Sequence, residues 1–296
     1  RDGISDMPVS ALIPGIVDLP LVNSDGSVLK NTPLALLPQD VTRYVGEAIA
    51  VVIGDTPDAA ATGAEQLYVT YEPLDSVTVT ADAPREDAPE IWPMVPGNTP
   101  VDGNFGDAAA TEAAFAEADH VVELTTWPQR VTGVMMGPRA ALPEYDPETG
   151  RFTVHCGGDN SVRLKRDLAA ILGVEDEFVR VIAGDVGGNY GTRNWTYPEY
   201  ALVAWASRRL QRPVGWVSTR SEAFQSDYQG RDLHTEAALA LDKTGRFLAV
   251  KASLMSNVGA RTIVFVPLNK TSELLTTVYD FPAAAVRARA VMTNTQ

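Results

Sequence analysis

The sequence predicts an α/β protein, of α+β type, on three observations. The apolar run Phe178-Val-Arg-Val-Ile-Ala183 reads as a buried strand and leads into a glycine-rich turn and then a helical apolar pattern ending at Leu210. Two apolar segments, 48–53 and 68–74, bracket an alanine-rich helical segment. Two further strand-like runs flank Pro147-Glu-Thr-Gly150, a hairpin turn. Strands alternating with helices of this length build mixed layers of sheet and helix.

Taken in order, residues 1–40 are proline-rich and irregular, with Pro8, Pro14, Pro20, Pro33 and Pro38 interrupting any ladder. Asn23-Ser-Asp-Gly26 reads as a turn. Arg43-Tyr-Val-Gly-Glu47 leads into Ala48-Ile-Ala-Val-Val-Ile53, a continuous apolar strand. A helix over 58–67 starts just past Pro57, and Tyr68-Val-Thr-Tyr-Glu-Pro-Leu74 is the next strand. The stretch 82–106, rich in proline, glycine and acids, reads as a linker crossing the surface. The chain therefore divides into 1–81, a linker over 82–106, and 107–296.

In the second part Asp107 can cap an alanine-rich helix over 108–118, and 119–126 is a strand. Residues 135–146 and 151–155 read as strands on either side of the hairpin turn 147–150. A helix over 161–172 ends at Gly173, the residue type that takes the left-handed conformation after a last turn. Asp159 and Asn160 stand where caps for it would be. Thr196 with Glu199 three residues on reads as a capping box for the helix through Leu210, with Pro198 in its first turn. Residues 239–248 carry a turn at Asp242-Lys-Thr-Gly245, and the alternating run 247–256 is another strand.

The chemistry concentrates in Asp185-Val-Gly-Gly-Asn-Tyr-Gly-Thr-Arg193, between strand and helix. Gly187, Gly188 and Gly191 strip the backbone where it must turn or be approached closely. A bare backbone presents N–H groups to an anionic ligand, as helix N-termini do. A tight turn that binds nothing has the same composition. The spacing is neither the dinucleotide fingerprint nor a Walker A loop, which also needs Gly-Lys-Ser/Thr.

Composition excludes several classes. With 45% hydrophobic and 21% charged residues in 296, the chain has a globular composition and enough length for two domains. A net charge of −14 disfavours nucleic acid and anionic membrane surfaces. The single cysteine, Cys156, cannot hold an iron–sulfur cluster or a structural zinc, and fits a reducing, cytoplasmic compartment. His120, His155 and His234 lack metal-ligand spacing. No apolar run is long enough for a transmembrane helix. The chain starts at Arg1 without a signal peptide, which leads to the expectation of a fragment or a processed product.

Several ordered segments resemble one family. Asp185-Val-Gly-Gly-Asn-Tyr-Gly191 is similar to the Asp-Val-Gly-Gly-Gly-Phe-Gly loop of molybdenum hydroxylase large subunits, the xanthine dehydrogenase, aldehyde oxidoreductase and aerobic carbon monoxide dehydrogenase family. Asn189 replaces a glycine, which a residue tolerant of positive φ survives, and Tyr190 replaces the phenylalanine. Met135-Met-Gly-Pro-Arg-Ala140 resembles Met-Glu-Pro-Arg-Ala, with Gly137 for the glutamate. Arg212-Pro-Val-Gly-Trp216, Gly230-Arg-Asp232 and Asn257-Val-Gly-Ala260 resemble further family segments, the last with Arg261 in place of a tyrosine. Residues 43–74 are similar to part of the family's hammerhead α/β domain, in which more chain precedes this segment.

The resemblance implies a partial hammerhead domain followed by the first part of a molybdopterin-binding domain. It implies Gly187, Gly188, Asn189, Tyr190 and Gly191 as cofactor contacts. Asp159 falls where a family glutamine faces the metal's oxo ligand, so cap and cofactor contact are its two readings. The implied cofactor is molybdopterin, or its cytosine dinucleotide. Iron–sulfur clusters and FAD are implied on partner subunits, and a second chain would carry the rest of the large subunit. The family's general base is expected beyond Gln296, leaving no catalytic residue and no protein metal ligand in this chain. The implied reaction oxidises an aldehyde, an N-heterocycle or carbon monoxide with water as oxygen source. The departures at Gly137, Asp159, Asn189 and Tyr190 keep open a non-catalytic, structural role.

Overall fold

The computed structural model describes residues 21–158 and 160–296. They group into two compact units, each discontinuous in sequence: 33–75 with 133–227, and 21–32 with 76–132 and 228–296. Helices pack on mixed sheets, so the α/β class expected from the sequence is found. In chain order the helices are α1 (Pro57–Glu65), α2 (Ala108–Ala116), α3 (Ser161–Leu172), α4 (Pro198–Leu210), α5 (Arg220–Ser226) and α6 (Val266–Glu273). The strands are β1 (Val101–Gly106), β2 (His120–Thr126), β3 (Arg130–Val131), β4 (Ala140–Asp146), β5 (Arg151–Cys156), β6 (Val179–Ile182), β7 (Trp216–Val217), β8 (Gly230–Arg231), β9 (Leu233–Leu241), β10 (Phe247–Asn257) and β11 (Ala283–Val291).

In the unit containing the C-terminal residues, the described strands order β1-β11-β10-β9-β2. β10 and β11 are parallel, joined through α6, and the other pairs are antiparallel. α2 lies close to the sheet because small residues face it: Ala240 and Ala249 are fully buried beside Ala283, with Ala114 and Phe115 against them. A buried carboxylate ties the connections of this unit together. Asp232 accepts from Trp127 Nε1 (2.8 Å), Thr80 Oγ1 (2.9 Å) and Asn257 Nδ2 (2.8 Å). That network is where the Gly230-Arg-Asp232 and Asn257-Val-Gly-Ala260 segments meet.

The other unit carries the sheet β6-β5-β4-β7. The β4–β5 hairpin closes on Asp146, whose carboxylate accepts from Glu148 N (2.9 Å) and Thr149 Oγ1 (2.6 Å), as its turn sequence predicts. β5 and β6 are parallel and α3 is their crossover. α3 begins at Asn160, whose side chain accepts from Arg163 N, and ends at Gly173 with φ 68°. Both of its ends were therefore legible. Along α4 every residue from Tyr200 to Ser207 is buried, since the helix lies between the sheet and α3.

Four expectations are corrected. Residues 48–53 and 68–74 join no ladder, and Tyr68 is 92% exposed. A strand exists only by pairing, and the described residues offer these segments no partner edge. The helix between them does form, capped by Thr56, with Val52 beneath Gly63. Residues 82–106 are not a surface linker: 101–106 pair as β1, and Ala83, Val95 and Val101 have no solvent contact. Buried Asn98 fixes this segment, donating to Ala83 O and Pro89 O and accepting from Ile91 N. β6 is an edge strand in which only Val179 is buried. Finally, α4 has no capping box. Thr196 donates instead to Asp167 Oδ2 (2.5 Å), and Glu199 is taken by Arg139. Part of the irregular 1–40 segment and Asp159 lie outside the described residues.

Candidate functional site

Because β5 and β6 are parallel neighbours, with His155 opposite Ile182, the chain leaves both at the same end of the sheet. Residues 157–158 and the connection 183–191 therefore emerge side by side. The carboxyl end of adjacent parallel strands is where ligands dock in α/β sheets. The two connections touch through Arg193: a Cβ on Gly157 would stand 3.3 Å from Arg193 Nη1, and one on Gly158 would stand 3.1 Å from Arg193 O.

Each predicted glycine has a local reason. Gly187 lies flush on Gly137, where a Cβ would meet Gly137 N at 2.6 Å, and the two are hydrogen-bonded (Gly137 N to Gly187 O, 3.3 Å). Gly188 has φ +109° and Gly191 φ +84°, which other residues rarely adopt. Positive φ falls on Tyr190, at +53°, and not on Asn189 as the sequence reading supposed. Asn189 is buried and braces the loop. Its Oδ1 accepts from Gly191 N (3.0 Å) and Arg193 N (3.1 Å), and its Nδ2 donates to Asn194 Oδ1 (2.9 Å). Tyr190 is 75% exposed. Among the described residues no acceptor takes the N–H of Gly187, Gly188 or Tyr190.

Three arginines that the sequence reading did not single out hold the facing segment, 135–139. Arg220 donates to Met135 O (2.7 Å) and Met136 O (2.8 Å), and Arg193 donates through Nη2 to Gly137 O. Three consecutive carbonyls are thus occupied, and the Met136 side chain stands 88% exposed beside them. Arg139 is fully buried. Its Nε donates to Asp227 (2.5 Å), Nη1 to Glu199 (2.9 Å) and Nη2 to Ser226 (2.6 Å), with Tyr197 stacked 3.8 Å away. Burial opposes its charge, but Glu199, Tyr197 and Asp227 outweigh burial and hold the proton more firmly than in a free guanidinium. Arg139 so fastens β4 to the starts of α4 and the end of α5, the elements around the loop. The available signal was its place in Met-Gly-Pro-Arg, but its partners are distant in sequence.

Electrostatically the site is a donor surface. Cys156, at the end of β5, is no thiolate: burial pushes its thiol up to about 11. The described residues contain no cluster of His, Cys, Asp or Glu that could hold a metal ion. The bare loop offers N–H donors to a ligand rich in acceptors.

Comparison with known proteins bears on this arrangement. The family model described as "Molybdopterin cofactor-binding domain" matches residues 91–296. The chain is 31% identical over 264 residues to the 6-hydroxypseudooxynicotine dehydrogenase complex subunit gamma of Paenarthrobacter nicotinovorans, covering 88% of this chain and 32% of that protein. It is 27% identical over 275 residues to the carbon monoxide dehydrogenase large chain of Hydrogenophaga pseudoflava, covering 88% and 34%. Among solved structures, quinoline 2-oxidoreductase from Pseudomonas putida 86 superposes with a TM-score of 0.88 at 27% identity, over 98% of this chain and 36% of that one. The chain spans about a third of the length of the curated relatives it matches.

Proposed function

The chain belongs to the molybdopterin cofactor-binding domain family, and from that premise we propose that it is the cofactor-binding portion of a molybdenum hydroxylase large subunit. The observation that carries the reading is the loop at the end of β6, whose bare backbone keeps the N–H groups of Gly187, Gly188 and Tyr190 free of acceptors among the described residues. These groups would donate to the cofactor. Asn189 and Gly191 would keep the loop open to it, and Arg193 and Arg220 would hold 135–137 beside it. Asp159 is proposed as a further contact from its place between Gly158 and the cap of α3. When bound, molybdenum supplies two-electron oxidation of a substrate carbon whose new oxygen comes from water.

The proposed substrate is a small aldehyde, N-heterocycle or carbon monoxide. Relatives named for nicotine, nicotinate and carbon monoxide support that range. Partner chains bearing iron–sulfur clusters and FAD are proposed because this chain has one cysteine, while relatives are named as subunits of complexes. The molybdopterin is proposed in its cytosine dinucleotide form and the enzyme in the cytoplasm; no helix among the described residues is long and apolar enough to cross a membrane.

The test is metal and pterin analysis of the full enzyme purified with its partner chains. Wild type should hold both, and Gly188→Val should fold and assemble but hold neither, since φ +109° is closed to valine. An assembled Gly188→Val enzyme with wild-type molybdenum would overturn the assignment of this loop.

A further inference from the structure

Asn189 and Tyr190 are adjacent in the loop, and their geometry links them. Asn189 accepts at Oδ1 from the N–H groups of Gly191 and Arg193, and at its carbonyl from Thr192 N (3.1 Å). These bonds close a turn around Tyr190 and hold it at φ +53°, a backbone state that is unfavourable for a bulky side chain. An unfavourable backbone held by its surroundings is a pointer to function. Here it has a visible consequence. The Tyr190 side chain leaves the loop, largely exposed, and its ring lies over Gly188. The ring and hydroxyl atoms stand 3.1 to 3.4 Å from where a Gly188 Cβ would be. The phenol therefore shares one surface with the free N–H groups of the loop.

We propose that Asn189 and Tyr190 form one device, in which the amide brace holds a phenol over Gly188 so that it covers and hydrogen-bonds the cofactor docked on the loop. This rests on the functional reading above. Glycine at 189 has no side-chain oxygen to bridge Gly191 and Arg193, and phenylalanine at 190 has no O–H to donate, so each substitution removes one half of the device.

The experiment is tyrosine nitration, mapped by mass spectrometry, on the assembled enzyme prepared with and without its cofactor. Tyr190 should react readily in the cofactor-free form and severalfold more slowly in the loaded one. In Asn189→Gly that protection should disappear, while Asn189→Asp, which keeps the acceptor oxygen, should retain it. Tyr190→Phe should release pterin severalfold faster on dilution. Wild-type enzyme that never holds molybdenum would defeat the functional reading itself. Enzyme that holds molybdenum while Tyr190 reacts equally in both forms would overturn this proposal alone. Protection that survives in a folded Asn189→Gly enzyme would break the claimed link between the two residues.

Discussion

At Gly187 the choice of residue is dictated by Gly137, not by a ligand. A Cβ there meets backbone nitrogen at 2.6 Å, and backbone cannot swing aside as a side chain can. Gly187→Ala should therefore cost ~1–3 kcal/mol of stability in the isolated chain, as overpacking does. Wild-type denaturant midpoints for that variant would show that the two segments part freely. The motif identified this residue, but its reason was not legible, because Gly137 is remote in sequence. Asp167 is a second case of a side chain whose partner is remote. Burial raises its carboxyl above the usual range, although Thr196 and Arg163 pull it down. The folded state thus binds this proton more tightly than the unfolded chain. Its contribution favours folding at low pH and is lost as pH rises from the unfolded value through the raised one. Asp167→Asn cannot lose a proton, so its stability should fall less than wild type's between about pH 4 and pH 7. Urea unfolding at both pH values checks this, and equal falls in the two proteins would show that the buried charge carries no penalty.

Elements were legible where their signals are local. α3 was placed correctly at both ends because Asn160 and Gly173 are its own cap residues. The hairpin turn at 147–150 was legible for the same reason. α4 was found by its apolar run, but its start was misassigned. Thr196 and Glu199 have the spacing of a capping box, yet Asp167 and Arg139 compete for them and win, because those partners are buried and need them more. Arg139 joins partners 60 and 88 residues away, a separation that no window of sequence reveals. Removing it leaves Glu199 and Asp227 facing each other without a cation. Arg139→Met should cost ~3–5 kcal/mol, the range for breaking a buried ion pair from one side. Ser226→Ala, which deletes one acceptor of that guanidinium, should cost only ~1 kcal/mol. Equilibrium unfolding of both variants separates the cases; equal costs would mean that the carboxylates stay solvated without Arg139.

For the molecule as a whole, strands that pair within the described chain and apolar segments that do not look alike in sequence. Residues 247–256 and 68–74 are both rich in residues that suit a sheet, and the sequence predicts a strand at each. The difference lies in the neighbours. β10 is hydrogen-bonded to β9 on one side and β11 on the other, and Ala249, Ala252 and Leu254 are buried. Residues 68–74 have no ladder, and Tyr68, Tyr71 and Leu74 are exposed. Propensity cannot decide between them, because it describes how a side chain suits a pleated, half-buried surface and not whether a neighbour exists. Amide protection depends on that neighbour. An amide exchanges through the smallest opening that frees it, so a doubly paired strand exchanges near the cost of global unfolding, and an unpaired segment exchanges at almost no cost. In the isolated chain, hydrogen exchange should therefore leave 68–74 unprotected within the shortest labelling time, while the amides of β10 are among the last to exchange. The strand β2, paired among the described residues only with β9 and exposed along its whole length, should fall between them. Protection of 68–74 equal to that of β10 would mean that this segment finds a strand partner in solution, and would restore the strand that the sequence predicted there.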